Sequence, residues 1–194
     1  MAYLHIKNKH LRRWANNILA VFKIPWIAFS VIPKDNRILF HDRDSRHFDF
    51  LSNFYPCFLK IDDRCWPHVE AFYQSRKSVN PKYHERILQK EKPSWSKYVG
   101  DCRIDYERIS KLSWFRKHPE DLRTDWDEIK VEVMKKALHV KFTQHENLRR
   151  ALQNTRTAEL IEDSQNDTFW GSGKDGDGKN MLGVLLMELR ARLM

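Results

Sequence analysis

The run "DWDEIKVEVMKKALHVKF" constrains the chain most, because only a helix gathers its apolar residues onto one face. Trp126, Ile129, Val133, Ala137 and Val140 recur at three- and four-residue intervals, the period of an α-helix. Asp125 and Glu128 fit a D-x-x-E capping box, which predicts a helix from there to about Phe142. "HENLRRALQNT" and the stretch from about Asn180 to Leu193 predict two more helices. Pro67 suits the first turn of a helix running through Lys77, and "PKYHERILQKE" predicts another. The segment from Pro93 to Pro119 is irregular. "RILFH" reads as a short strand, and Cys57–Ile61, two aspartates and Cys65-Trp66 read as a small hairpin. Strands do not alternate with helices, which argues against a doubly wound sheet. The expected fold is mainly α, a compact helical domain with a small antiparallel β element.

A chain of 194 residues predicts one main domain, and 41% hydrophobic content supplies enough apolar surface for its core. The formal charge of +9 favours acidic partners such as nucleic acid, phosphorylated small molecules or anionic lipid. The three cysteines, Cys57, Cys65 and Cys102, form no CxxC pair, which fits a reducing cytoplasm rather than a disulfide framework or zinc knuckle. The histidine and aspartate cluster His41, Asp42, Asp44, His47 and Asp49 lacks ligand spacing, so no metal is expected.

Residues 1–36 differ in character from 37–194. Leu11, Trp14, Ala15, Ile18, Leu19 and Phe22 lie at helical spacing beside basic residues, and an apolar segment follows. Lys23, Pro25 and Pro33 interrupt that segment, and a membrane span needs about 20 mostly apolar residues. The expectation is a basic N-terminal extension ahead of a single domain, with no transmembrane segment.

Chemistry concentrates in three places. The stretch "GKDGDGKN" nearly spells the nucleotide-binding GxxxxGK[ST], but Asn180 stands where the hydroxyl belongs and the preceding "SQNDTFW" is polar. A calcium loop fails because the oxygen ligands stop at Asp177. Two readings remain open: a phosphate cradle of backbone amides at a helix N-terminus, helped by Lys174 and Lys179, or a plain glycine-rich connector. In "WPHVEAFYQSRKS", Glu70, Gln74 and Lys77 share one helical face, either as a solvated stripe or as a carboxylate and lysine beside an aromatic pocket. In "LRTDWDEIK", Arg123 precedes a helix, where it either binds an anion or pairs with a carboxylate.

Taken in order, these pieces resemble one family. "LSNF" (Leu51 to Phe54), "WPHVEAFYQSRK", "LRTDWDEIKVEVM", "KFTQHENLRRAL" and "ELIEDSQNDTFWGSGKDGDGKNMLGVLLMELR" are similar to the NADAR (NAD and ADP-ribose associated) superfamily, also called YbiA-like. The resemblance runs from about Phe40 to the C-terminus and leaves the first 36 residues without a counterpart. It implies a compact, orthogonally packed helical fold and an enzyme that hydrolyses N-glycosidic bonds without metal or organic cofactor. Members cleave phosphoribosylamino-pyrimidine intermediates of riboflavin synthesis; others remove ADP-ribose from modified bases. The implied partner is a small ribosyl phosphate or ADP-ribosyl compound, with ADP-ribosylated nucleic acid an alternative substrate. A non-catalytic module that binds ADP-ribose or nucleic acid is the competing class.

The resemblance also assigns roles. Glu70 matches the glutamate of the first family helix and is the leading catalytic carboxylate. Asp167 with Trp170 matches D-x-x-W-G, and Trp126 follows R-x-D; Asp167 and Trp126 join Glu70 in the expected catalytic set. Asn53, Lys77, Arg123, Trp170, Gly171, Lys179 and Asn180 form the expected substrate-binding set, and Lys141 and Gly178 also match. Two departures stand out: Phe50 ahead of LSNF, where relatives often carry a small residue, and a longer segment over 101–118.

Overall fold

Strand β1 (Arg37–Phe40) lies near the start of the described part of the computed structural model, which covers residues 32–41, 47–102 and 111–194. The expected N-terminal helix and most of its apolar segment lie outside the described residues. So does the middle of the His41–Asp49 cluster. The antiparallel element appears as expected. Strand β2 (Leu59–Ile61) pairs with β3 (Arg64–Trp66), and Asp62 and Asp63 both take positive φ, 51° and 58°. Two left-handed residues in sequence are what a two-residue hairpin turn needs, and aspartate tolerates that region better than most residues.

Six α-helices follow among the described residues: α1 (Val69–Ser75), α2 (Pro81–Leu88), α3 (Pro93–Val99), α4 (Trp126–Gln144), α5 (Glu146–Asn154) and α6 (Met181–Leu193). Mainly α is the correct class. Helix α1 starts two residues after Pro67 because the His68 side chain caps it, accepting from the Ala71 amide at 2.9 Å. Burial depresses the His68 pKa to about 3, and the neutral ring meets the Glu91 carbonyl through its other nitrogen. Helix α3 lies where the sequence looked irregular. It is only seven residues long and opens on a proline, so it carries too little periodicity to register.

The parallel pairing of β1 with β4 (Glu159–Glu162) was not foreseen. Leu160 and Ile161 are buried, and the partner strand lies over a hundred residues away, so no local pattern announces it. The capping box also fails to form. Asp125 makes no cap hydrogen bond, because both of its oxygens accept from the Arg123 guanidinium at 2.8 and 2.7 Å. The buried face of α4 turns toward Met134, Ala137, Leu138, Lys141 and Phe142, while Ile129, Val133 and Val140 are half-buried at its margin. Helix α1 is buried throughout and packs on α2, α3 and α4. A short helix inside other helices is a rigid mount for a side chain.

Candidate active site

Tyr73 on α1 holds the aromatic centre together. Its ring meets Trp126 edge-on at 5.0 Å and Trp170 at 5.5 Å, and its hydroxyl accepts from the Trp170 indole at 3.1 Å. Edge-to-face geometry suits the ring quadrupoles and fixes three large side chains from three parts of the chain. Lys77 extends over the Tyr73 and Trp126 rings and donates to the Gly100 carbonyl at 2.7 Å. Trp126 is nearly buried, and Trp170 is half-exposed.

Glu70 sits one turn before Gln74, whose side-chain amide donates to Glu70 Oε1 at 2.8 Å. Only 5% of Glu70 is exposed. Burial raises its pKa above the ordinary carboxylate value, and the negative charge of Asp167 adds to the rise; Gln74, Lys97 and Lys77 pull the other way. The amide of Glu70 donates to the Asn53 carbonyl at 3.2 Å, which brings the LSNF turn against α1. Asn53 Oδ1 and Gln74 Oε1 are buried acceptors without a partner among the described residues. Gln74 Oε1 faces Gly100, where a Cβ would strike it.

Asp167 is itself tightly bound. Its Oδ1 accepts from the Phe169 and Trp170 amides at 3.0 and 2.8 Å, which turns the chain so that Trp170 reaches Tyr73. Glu70, Asp167, Trp126, Trp170, Lys77 and Asn53 thus gather around Tyr73 and α1.

The remaining expected residues, Lys179 apart, have partners of their own within the chain. The glycine loop does not present an open cradle. The amides of Gly178, Lys179, Asn180, Met181 and Leu182 donate to the carbonyls of Ser172, Thr168, Gly171, Phe169 and Trp170. The helix N-terminus and its dipole are closed by the chain's own D-x-x-W-G turn, so the connector reading describes the backbone better. Asn180 adopts φ of 46° and spans β4, accepting from the Glu162 amide and donating to the Leu160 carbonyl. Gly171 packs against Ser164 and the Glu162 carbonyl. Lys179 is exposed over the Phe169 ring. Arg123 sits beside Lys77 through its backbone, but its guanidinium is committed to Asp125.

Two arrangements were not read from the sequence: Tyr73 as the ring that joins Trp126 and Trp170, and Gln74 as an anchor for Glu70, although the i, i+4 spacing put Gln74 on the same face. Lys141 is fully buried, donates to the Ser52 carbonyl at 2.8 Å, and burial lowers its pKa to about 8. It supports the LSNF turn from below. No group of three or more metal-binding side chains is present among the described residues.

Known proteins resemble the chain over most of its length. The NADAR domain model matches residues 39–194. N-glycosidase YbiA of Escherichia coli (strain K12) is 37% identical over 162 residues, covering 84% of this chain and 91% of that protein. The NMR structure of E. coli YbiA superposes with a TM-score of 0.66 at 35% identity, covering 86% of this chain and 90% of that one. The chloroplastic riboflavin biosynthesis protein PYRR of Zea mays is 35% identical over 185 residues, 91% of this chain but 28% of its own length. With a family model spanning nearly all of the described residues and a relative matched over most of both lengths, the chain belongs to the NADAR domain family.

Proposed function

We propose that this chain hydrolyses the ribosyl C–N bond of a phosphoribosylamino-pyrimidine or a closely related ribosyl or ADP-ribosyl compound. Membership beside N-glycosidase relatives makes it a hydrolase acting on N-glycosyl compounds. One observation carries the reading to this site: a carboxyl buried on α1, raised in pKa, on the same helix as Tyr73 and its locked aromatic cluster, which the Asp167 turn helps to hold. Breaking the bond leaves positive charge at C1′ and sends the bonding pair to nitrogen. Glu70 takes a proton from water as its oxygen attacks C1′, and the departing nitrogen gains a proton, giving a free sugar and an amine. A raised carboxyl is a stronger base once ionised, which suits proton transfer near neutral pH.

Asp167 Oδ1 is occupied, so its second oxygen serves the ribose hydroxyls or the developing charge. Asn53 Oδ1 takes a substrate hydroxyl or amino donor that no protein group supplies. Trp170 offers a stacking face for the base, and Trp126 backs it through Tyr73. The family's two substrate classes are separated by incubating the protein with a phosphoribosylamino-pyrimidine and, separately, with ADP-ribosylated DNA. Release of free ribose 5-phosphate from the first is the expected result. Release of ADP-ribose from the second alone reassigns the substrate, and retention of both ligands intact makes the chain a binding module.

A further inference from the structure

Lys97 occupies the last turn of α3, the helix that the sequence did not announce. Its ammonium lies 5.7 Å from the centroid of Phe54, the final residue of the LSNF turn. Phe54 follows Asn53, whose carbonyl receives the Glu70 amide. The turn, Glu70 and Lys97 are therefore neighbours, since α1, which carries Glu70, packs on α3, which carries Lys97. Lys97 is exposed and has no hydrogen bond or ion pair among the described residues.

The other cations of the site are committed. Lys77 is bound to the Gly100 carbonyl, Lys141 to the Ser52 carbonyl, and Arg123 to both oxygens of Asp125. The amides at the start of α6 are satisfied by backbone carbonyls. Lys179 is exposed and, among the described residues, lies against the Phe169 ring in the loop rather than beside the LSNF turn. An anionic group on a substrate whose sugar faces Glu70 thus meets, beside the LSNF turn, a cation that is solvent-facing and uncommitted among the described residues.

We propose that Lys97 receives the phosphate of the substrate and sets the preference for phosphorylated over unphosphorylated ribosyl compounds. This rests on the hydrolase reading for its orientation, because it places C1′ at Glu70 and the phosphate toward α3. The Phe54 ring attracts the ammonium, so the charge is held near the turn while its exposed head stays hydrated. A phosphate then gains a charge-assisted contact that a hydroxyl does not.

Titration calorimetry with ribose 5-phosphate and with ribose tests this directly on the full chain. The wild type is expected to bind ribose 5-phosphate more tightly, and Lys97→Ala to lose about tenfold of that affinity while ribose binding is unchanged. Lys97→Arg keeps the preference, and Lys97→Glu reverses it. Undiminished ribose 5-phosphate binding by Lys97→Ala overturns the proposal, as does a wild type without preference. Loss of the preference in Lys179→Ala but not in Lys97→Ala overturns it too and moves the phosphate to the glycine loop. Turnover of the pyrimidine substrate is measured separately. A Lys97-dependent preference in a protein that releases no sugar defeats the hydrolase reading alone and leaves the phosphate subsite standing.

Discussion

Helix α1 and the loop over residues 167–180 bring polar groups to the same aromatic cluster by opposite means. On α1 the backbone is satisfied within a buried helix, and Glu70 is the group left over, held by one amide and pushed up in pKa. In the loop one oxygen of Asp167 and the backbone amides of residues 178–182 are taken up in shaping the turn itself. The loop has the more conspicuous sequence, yet the shorter, plainer helix holds the chemically perturbed group. Glycines and lysines near a helix start show that an anion site is affordable; only a count of what each amide already donates to decides whether one exists.

That contrast breaks first at Glu70. Glu70→Gln preserves the shape and the contact with Gln74 but removes the base, so kcat is expected to fall about a hundredfold or more. Stability moves the other way. Because burial raises the folded pKa above the unfolded one, the folded state binds the extra proton, and ionised Glu70 costs stability as pH rises through that window. The variant is therefore expected to melt no lower than wild type at pH 8. A matching loss of Tm and activity makes Glu70 a structural residue. In wild type the acid limb of kcat lies above the ordinary carboxylate range, since the active form is the ionised one.

The loop gives the next largest effect, and in stability rather than chemistry. A Cβ at Gly178 strikes the Gly171 carbonyl and the Ser172 backbone, neither of which is the free end of a side chain. Gly178→Ala is expected to lower Tm by about 5 °C or more, in the range of an overpacked site costing about 1–3 kcal/mol. Addition of ribose 5-phosphate shows whether that damage is structural: if the loop only buttresses Trp170, the surviving folded fraction binds the ligand with near-normal affinity. A loss of binding greater than the loss of folded protein returns the phosphate to the loop.

Much of this architecture was legible in the sequence, and the failures share a cause. The Asp62-Asp63 turn, the helix expected to about Phe142 and the shared face of Glu70 and Gln74 are local patterns, and all three appear, although α1 ends at Ser75 and leaves Lys77 just beyond it. The β1–β4 pairing joins segments over a hundred residues apart. Asp125 was expected to cap α4 and instead serves Arg123, because a bidentate guanidinium two residues away outcompetes a single amide. Tyr73 reads as an ordinary core aromatic until Trp126 and Trp170 arrive on it from different elements. Positions set by distant partners leave no period in the chain.

A middle-sized effect separates positioning from packing within α1. Gly100 leaves room for the Gln74 side chain, and a methyl group there collides with Gln74 Oε1. Gln74 is a flexible side chain, so it can swing aside, but doing so releases its hold on Glu70. Gly100→Ala is expected to lower kcat by about tenfold with a change in Tm of a few degrees at most. Steady-state kinetics beside a melting curve checks it, and an unchanged kcat means that Gln74 does not orient the carboxyl.

The smallest effect belongs to Arg123, and it sharpens the comparison from the opposite side. The resemblance placed Arg123 among the substrate-binding residues, but its guanidinium forms a two-bond pair with Asp125 at a solvent-facing site. Exposed pairs of this kind contribute little to stability, and a cation already neutralised attracts an incoming phosphate weakly. Its amide still donates to the Lys77 carbonyl, and alanine keeps that bond. Arg123→Ala is therefore expected to change KM for the phosphorylated substrate by no more than about twofold and to leave Tm unmoved. A tenfold rise in KM shows that Asp125 gives up the guanidinium when substrate arrives, and the accounting of spent cations around Glu70 then needs Arg123 beside Lys97.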